Sequence, residues 1–260
     1  MKIVFISDIV GEAGREILSD KLPGLIAAEK PDFVVANAEN AAGGKGLTSP
    51  VARELFSLGI GCLTLGNHSF DRKEIENIID DPRILRPANY PDIVPGQGHG
   101  IYEAKNGKMV GVINLMGRVY LPATDCPFRK AAALAEKIRE QAKVILVDIH
   151  AEVTSEKQAM GWYLDGSVSA VIGTHTHIPT ADERIMPQGT AYITDAGMTG
   201  PYEGVIGMDR EVVLKKFLTG IPQHFVIAKG ASVMQGCVIE ADDAGGKASS
   251  IKRFSLASNN

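Results

Sequence analysis

Five short polar stretches stand where apolar runs end. They are Ser7-Asp8, Glu39-Asn40, Gly66-Asn67-His68, Asp148-Ile149-His150 and Gly173-Thr174-His175-Thr176-His177. An acid or imidazole at the end of a buried run is costly unless it is paired or ligated. The group Asp8, Glu39, Asn40, Asn67, His150, His175 and His177 offers only nitrogen and oxygen donors. Donors of that kind suit hard or borderline divalent ions, with Mn, Fe, Mg and Zn all compatible. The lack of thiols separates the group from a structural zinc site. So many donors favour more than one ion. A carboxylate bridges two ions, and two ions together activate a water and stabilise the oxygens around a reacting phosphorus.

Taken singly, several of these residues have plainer explanations. Asp8 serves equally as a turn cap before Gly11, Asn40 as a turn residue, and His150 as a satisfied histidine at a core edge. His175 and His177 are harder to explain by packing. In extended backbone their rings, two residues apart, point to the same side. Asp148 lies two residues before His150, on the same face if the strand continues, and is placed to accept from a ligand histidine. His68 can accept or donate a proton, and Asp71 can orient its ring or cap the next helix. Arg118, Tyr120 and the loop through Phe128 are candidates for phosphate or base contact, with Tyr202 and Met198 as further cleft residues. Wall or core packing is the competing reading for each. For Lys45 the choice is between a phosphate contact and a solvated loop lysine.

The elements that position these residues follow one grammar. Lys2 to Ser7 reads as a strand ending at Asp8, followed by a helix from about Arg15 to Lys30 with a bend or boundary at Pro23. PDFVVANAEN reads as a second strand. GIGCLTLGNHSF reads as a third, after a helix from Ser49 to Leu58. Met109 to Asn114 is another strand, and AKVILVDIH follows a helix from Cys126 to Gln141. VSAVIGTHTH and TAYITDAG add two more. HFVIAKGASVMQGCVIEAD reads as a terminal hairpin, with an edge strand near Ile251 to Leu256 that then frays. Strands alternating with helices predict an α/β layered protein, with continuous apolar strands covered on both faces. Ligand groups at strand C-termini fit the usual location of sites in open sheets. ILRPANYP and VYLPATDCPF are Pro-rich loops suited to walling a cleft. No linker divides the chain, so residues 1–260 are expected to form a single domain.

Composition narrows the function classes. The 260 residues are 45% apolar and 22% charged, an ordinary soluble balance, and the formal charge is −4. Neither figure suggests a wide basic surface, so no DNA partner is expected, and a local RNA groove gains no support. A small phosphate ester stays compatible, because metal ions supply positive charge locally. Cys62, Cys126 and Cys237 are scattered and form no CxxC pattern, against a disulfide framework. No apolar run reaches the length of a membrane span, so no membrane partner is expected. The first residues read as a core strand, not a signal peptide, which makes the cytoplasm the simplest location.

These motifs resemble the calcineurin-like metallophosphoesterase superfamily and, more closely, its YmdB-like bacterial phosphodiesterase family. The resemblance runs along essentially the whole chain, from SDIVGEAGR through NAENAAGGKG, GNHSFD, DIHAE and GTHTHIPTAD to TDAGMTGP and GVIGMD. The wider superfamily commonly opens with Asp-x-His and carries Asp in its second motif. Here the chain has Asp8-Ile9-Val10 and Glu39, a departure the closer family shares. The resemblance implies an α/β/β/α sandwich, with central sheets flanked by helices. It implies one metal held by Asp8, Glu39, Asn40 and His177, and a second by Glu39, Asn67, His150 and His175. His68 would stand near the scissile phosphate as acid or electrostatic stabiliser. It further implies iron or manganese, a homo-oligomer, and hydrolysis of small phosphodiesters. Of these, 2′,3′-cyclic nucleotides are the leading substrates, opened to 3′-nucleotides by a metal-bridging hydroxide. The alternatives are a phosphomonoesterase and a non-catalytic metal-dependent nucleotide sensor or scaffold.

Overall fold

Strands that are mostly apolar along their length must find cover on both faces, and here they do. FVVAN, VILVDIH and AVIGT are buried throughout. The computed structural model describes residues 1–258. In chain order the elements are β1 (Lys2–Ile6), α1 (Gly11–Glu29), β2 (Phe33–Asn37), α2 (Ser49–Ser57), β3 (Cys62–Thr64), β4 (Ile84–Leu85), β5 (His99–Glu103), β6 (Met109–Met116), α3 (Pro127–Arg139), β7 (Val144–His150), α4 (Thr154–Leu164), β8 (Ala170–Thr174), β9 (Arg184–Ile185), β10 (Ala191–Ile193), β11 (Gly200–Pro201), α5 (Arg210–Thr219), β12 (Ser232–Ala241) and β13 (Ala248–Ala257). One sheet runs β11-β12-β1-β2-β3-β4, with β13 also on β12, and the other runs β5-β6-β7-β8-β10-β9.

Side-chain parity builds the layers. Ile3 and Phe5 of β1, with Phe33 and Val35 of β2, meet Val110, Val112, Val144 and Leu146 of the facing sheet in one buried cluster. Their neighbours Val4, Ile6 and Val34 point the other way, onto Leu18, Leu22, Ala52 and Leu55 of α1 and α2. Ile113, Ile145 and Val147 likewise turn onto Ala135, Ile138, Met160 and Leu164 of α3 and α4. The result is the expected α/β/β/α sandwich, and alternate residues of each strand fill two different apolar layers.

β1, β2, β3 and β4 are mutually parallel, as are β6, β7, β8 and β10. At one end the two sheets are joined by polar contacts. Asn37 Nδ2 and Thr64 Oγ1, closing β2 and β3, donate to Asp148 Oδ2 of β7 at 3.0 and 2.6 Å. Asn114 Nδ2 on β6 donates to the carbonyls of Leu65 and Leu85, each at 2.7 Å. The loops leaving the C-terminal strand ends of both sheets therefore open onto one edge.

Two expectations need correction. Helix α1 begins at Gly11, not Arg15, and passes through Pro23 without ending. Pro23 removes one intrahelical hydrogen bond, and the buried Leu22 and Leu25 beside it hold the helix against the sheet. The hairpin is not internal to His224–Asp242. It pairs β12 with β13 across Asp242–Lys247, and 221–231 is irregular apart from a bridge between Met208 and Ile227. The edge strand expected around Ile251 to Leu256 is present and spans Ala248–Ala257. Fraying beyond it concerns Asn259 and Asn260, outside the described residues. Among the described residues, no helix is long and apolar enough to cross a membrane, and Cys62, Cys126 and Cys237 are free thiols.

Candidate metal centre and active site

His150 Nε2 is the point on which donors converge. It lies 2.9 Å from Glu39 Oε1, 3.1 Å from Asn67 Oδ1 and 3.0 Å from His175 Nδ1. Four segments supply them: the end of β7 and the turns after β2, β3 and β8. Glu39, His150 and His175 offer ligand atoms all within 4.8 Å of one another.

A second group shares Glu39. The Asn40 amide lies 3.2 Å from Glu39 Oε1 and 3.3 Å from His177 Nε2. Asp8 is wholly buried, and its Oδ1 has no hydrogen-bond partner. That oxygen sits 3.8 Å from His177 Nε2 and 3.9 Å from His150 Nδ1. An unsatisfied buried carboxylate oxygen is costly, and a cation is the kind of partner it lacks. The donor set fits hard or borderline divalent ions.

Outer hydrogen bonds aim the three rings. Thr174 Oγ1 donates its one proton to Asp148 Oδ1 at 2.7 Å, so it accepts from His150 Nδ1 at 2.9 Å. The Ile206 carbonyl can only accept, and it takes His177 Nδ1–H at 2.9 Å. Glu152 Oε2 lies 2.9 Å from His175 Nε2. Each neutral ring thus turns a lone pair inward, from Nε2 in His150 and His177 and from Nδ1 in His175.

The electrostatics agree. Burial pushes the Asp8 carboxyl up to about 6, against the pull of His177 and His150. Burial also acts to raise Glu39 and to lower His150, but their mutual contact reverses both. Glu39 is held below the usual carboxylate range and His150 above the usual imidazole range. Burial and then the neighbouring His150 push His175 down to about 3, which keeps that ring neutral. One positive charge is stabilised between Glu39 and His150, the charge a bound cation supplies with the nitrogen deprotonated.

The extended spacing expected for His175 and His177 does not occur. β8 ends at Thr174, and the two histidines have φ of +95° and +63°. Left-handed backbone costs a non-glycine residue about 1–3 kcal/mol. It also separates the rings, sending His175 to His150 and His177 to Asp8 and Asn40.

His68 stands at the rim, with 26% of its side chain exposed and Nδ1 2.8 Å from Asp71 Oδ2. Its backbone N–H donates to Glu39 Oε2 at 3.1 Å. Arg118 is tied by its own backbone N–H to Glu156, at 3.0 Å to Oε1. Tyr120 and Tyr202 are largely solvent-exposed. Among the described residues, no hydrogen bond or ion pair joins these three side chains to the donor cluster. Met198 is core, Phe128 packs edge-on against Tyr163, and Lys45 is exposed. Sequence reasoning gave no role to Thr174, Glu152, Lys157 or Asp195. Asp195 carried the one usable signal, an acid just after an apolar run, as at Asp8.

Gly66 marks how closely the groups approach. A Cβ there would lie 2.3 Å from Glu39 Oε2 and 2.3 Å from His150 Cδ2. Gly66→Ala is therefore expected to bind less Mn²⁺ per chain than the parent after stripping and reconstitution. Parent-like metal content by elemental analysis would show that the cluster tolerates the methyl group.

Comparison with known proteins bears on this arrangement. Residues 4–254 match the family model described as YmdB-like protein. The chain is 50% identical to the 2′,3′-cyclic-nucleotide 2′-phosphodiesterase of Bacillus subtilis (strain 168), over 98% of this chain and 96% of that one. A crystal structure of a hypothetical protein from Thermus thermophilus superposes with a TM-score of 0.93 at 40% identity, covering 100% of both chains. A crystal structure of a novel phosphatase from Mycoplasma pneumoniae gives 0.92 at 34% identity, covering 99% of this chain and 93% of that one.

Proposed function

The chain belongs to the YmdB-like protein family, and from that premise we propose that it is a metal-dependent phosphodiesterase opening 2′,3′-cyclic nucleotides to 3′-nucleotides. The observation that carries this reading is the pair of largely buried donor groups sharing Glu39 at the joined end of the two sheets. Asp8, Glu39, Asn40 and His177 would hold one ion, and Glu39, Asn67, His150 and His175 the other. When bound, two such ions would supply a water of lowered pKa and positive charge for the phosphoryl oxygens.

The chain's own residues complete the reaction. Water adds to phosphorus in line with the 2′ oxygen, the P–O2′ bond breaks, and the departing oxygen takes a proton. His68, oriented by Asp71, is the proton donor or the group that stabilises the developing charge. Arg118, Tyr120 and Tyr202 are assigned to phosphate or base contact. Iron or manganese is assigned to the site, although Mg and Zn also suit its donors. Residues 1–260 are taken as one catalytic unit, supported by the apolar layer that both sheets share. A homo-oligomer is supported by the exposed apolar side chains of Phe217 and Leu218, 77% and 84% accessible. The free thiols suit a cytoplasmic setting.

The test is product analysis with 2′,3′-cyclic AMP and protein of measured metal content. Metal-dependent release of 3′-AMP is the expected outcome. Release of 2′-AMP would reverse the leaving group. An enzyme that cleaves p-nitrophenyl phosphate but not its bis ester would be a monoesterase, the reading the Mycoplasma phosphatase favours. Tight nucleotide binding without turnover would make it a sensor.

A further inference from the structure

Lys157 and Asp195 lie outside both donor groups, yet they form a buried ion pair beside them. Both side chains are fully buried, with Lys157 Nζ 2.7 Å from Asp195 Oδ2. Lys157 sits on α4, and Asp195 follows β10. Gly173 leaves room for the lysine stem, since a Cβ there would lie 2.8 Å from Lys157 Cδ. Buried ion pairs are poor devices for stability alone, because desolvation offsets much of their attraction. What this pair touches is therefore informative.

It touches the residue between the two histidines. Asp195 Oδ2 accepts from Thr176 N at 3.1 Å and from Thr176 Oγ1 at 2.6 Å. Lys157 Nζ also reaches Thr176 Oγ1 at 3.4 Å. Asp195 Oδ1 accepts from Gly197 N at 2.9 Å, which fixes the carboxylate plane. The far end of the loop returns to the same residue: Thr180 N donates to the Asp195 carbonyl at 3.0 Å, and Asp195 N donates to Thr180 Oγ1 at 2.9 Å. His175 and His177, on either side of Thr176, are both held in left-handed backbone.

Resting on the reading of the cluster as a metal centre, we infer that the Lys157–Asp195 pair positions the His175–His177 loop through Thr176. Lys157 and Asp195 are positioning residues. Neither supplies a donor to the cluster. Their effect reaches the centre as metal affinity, because the loop delivers one histidine to each donor group.

Thr176→Val gives the sharpest test, since it replaces the hydroxyl with a methyl group of similar size and keeps both residues of the ion pair. Metal-stripped protein is titrated with Mn²⁺ against a competing chelator, and its thermal unfolding is followed without metal. Thr176→Val is expected to weaken Mn²⁺ binding about tenfold, the lower end of what an outer hydrogen-bond partner contributes. Thr176→Ser is expected to restore the parent affinity. The neutral double variant Lys157→Met/Asp195→Asn is expected to lose more affinity than Thr176→Val. If it fails to fold, the two Thr176 variants still decide. Unchanged Mn²⁺ affinity in Thr176→Val, with only the unfolding midpoint lowered, would reduce the pair to a structural anchor and overturn the inference. Absence of Mn²⁺ binding by the parent would also overturn it. A parent that binds Mn²⁺ and responds as expected, yet hydrolyses no phosphodiester, would sink the functional reading while this inference stood.

Discussion

Replacing His150 with alanine is expected to strip the protein of at least part of its metal and to abolish most phosphodiester hydrolysis. The ring is the meeting point of Glu39, Asn67 and His175, all within 3.1 Å of Nε2. Its other nitrogen is held through Thr174 to Asp148. Removing it deletes a donor and frees Glu39 and His175 from the contact that sets their relative position. The loss in Mn²⁺ affinity should exceed the roughly 10–100-fold that loss of an outer partner costs. His150 is fully buried, so a cavity also forms and some stability is lost. Elemental analysis on variant that remains folded by circular dichroism separates the two effects. Full metal content with parent turnover would remove His150 from the ligand set.

What the sequence could and could not reveal follows from where the information sits. β2, β7 and β8 were legible because, Asp148 apart, every residue is apolar or ends a strand, and both parities meet an apolar layer. Helix α5 was not. Only Val213 along it is buried, and Leu214, Phe217 and Leu218 face solvent, so no apolar stripe announces it. Its local signals are the Asp209 cap, which accepts from Glu211 N and Val212 N, and Gly220 at φ +70°. The true hairpin is hard to place from sequence because Phe225 and Val226 look strand-like but lie in irregular chain, and β13 buries few of its residues.

The donors were legible singly, since each closes an apolar run. Their division between His175 and His177 was not legible from spacing. It depends on two left-handed residues, and the anchor of the intervening Thr176 is Asp195, nineteen positions further along. Extended backbone was the reasonable expectation without that contact. Thr174 and Glu152 are silent in the sequence for a related reason. A threonine closing a strand and a half-exposed glutamate gain meaning only from the ring nitrogens they face.

His68 poses the opposite case to His150, and its replacement by alanine should separate chemistry from metal binding. The ring sits at the rim, turned to Asp71. Its contact with the ligand cluster is through the backbone N–H to Glu39 Oε2, which alanine preserves. His68→Ala is therefore expected to keep parent metal content and to lower kcat on 2′,3′-cyclic AMP by about 10²–10⁴-fold, the range for a positioned proton donor. The leaving group tells which role the ring plays. A ribose oxygen departs poorly as an alkoxide and needs a proton, whereas 4-nitrophenolate leaves without one. If His68 donates that proton, the variant should lose far more activity on the cyclic nucleotide than on bis-p-nitrophenyl phosphate. Equal losses on both substrates would make the ring an electrostatic stabiliser of the phosphoryl oxygens. Metal loss matching that of His150→Ala would instead place His68 among the groups that build the centre, and the proton would have to come from elsewhere.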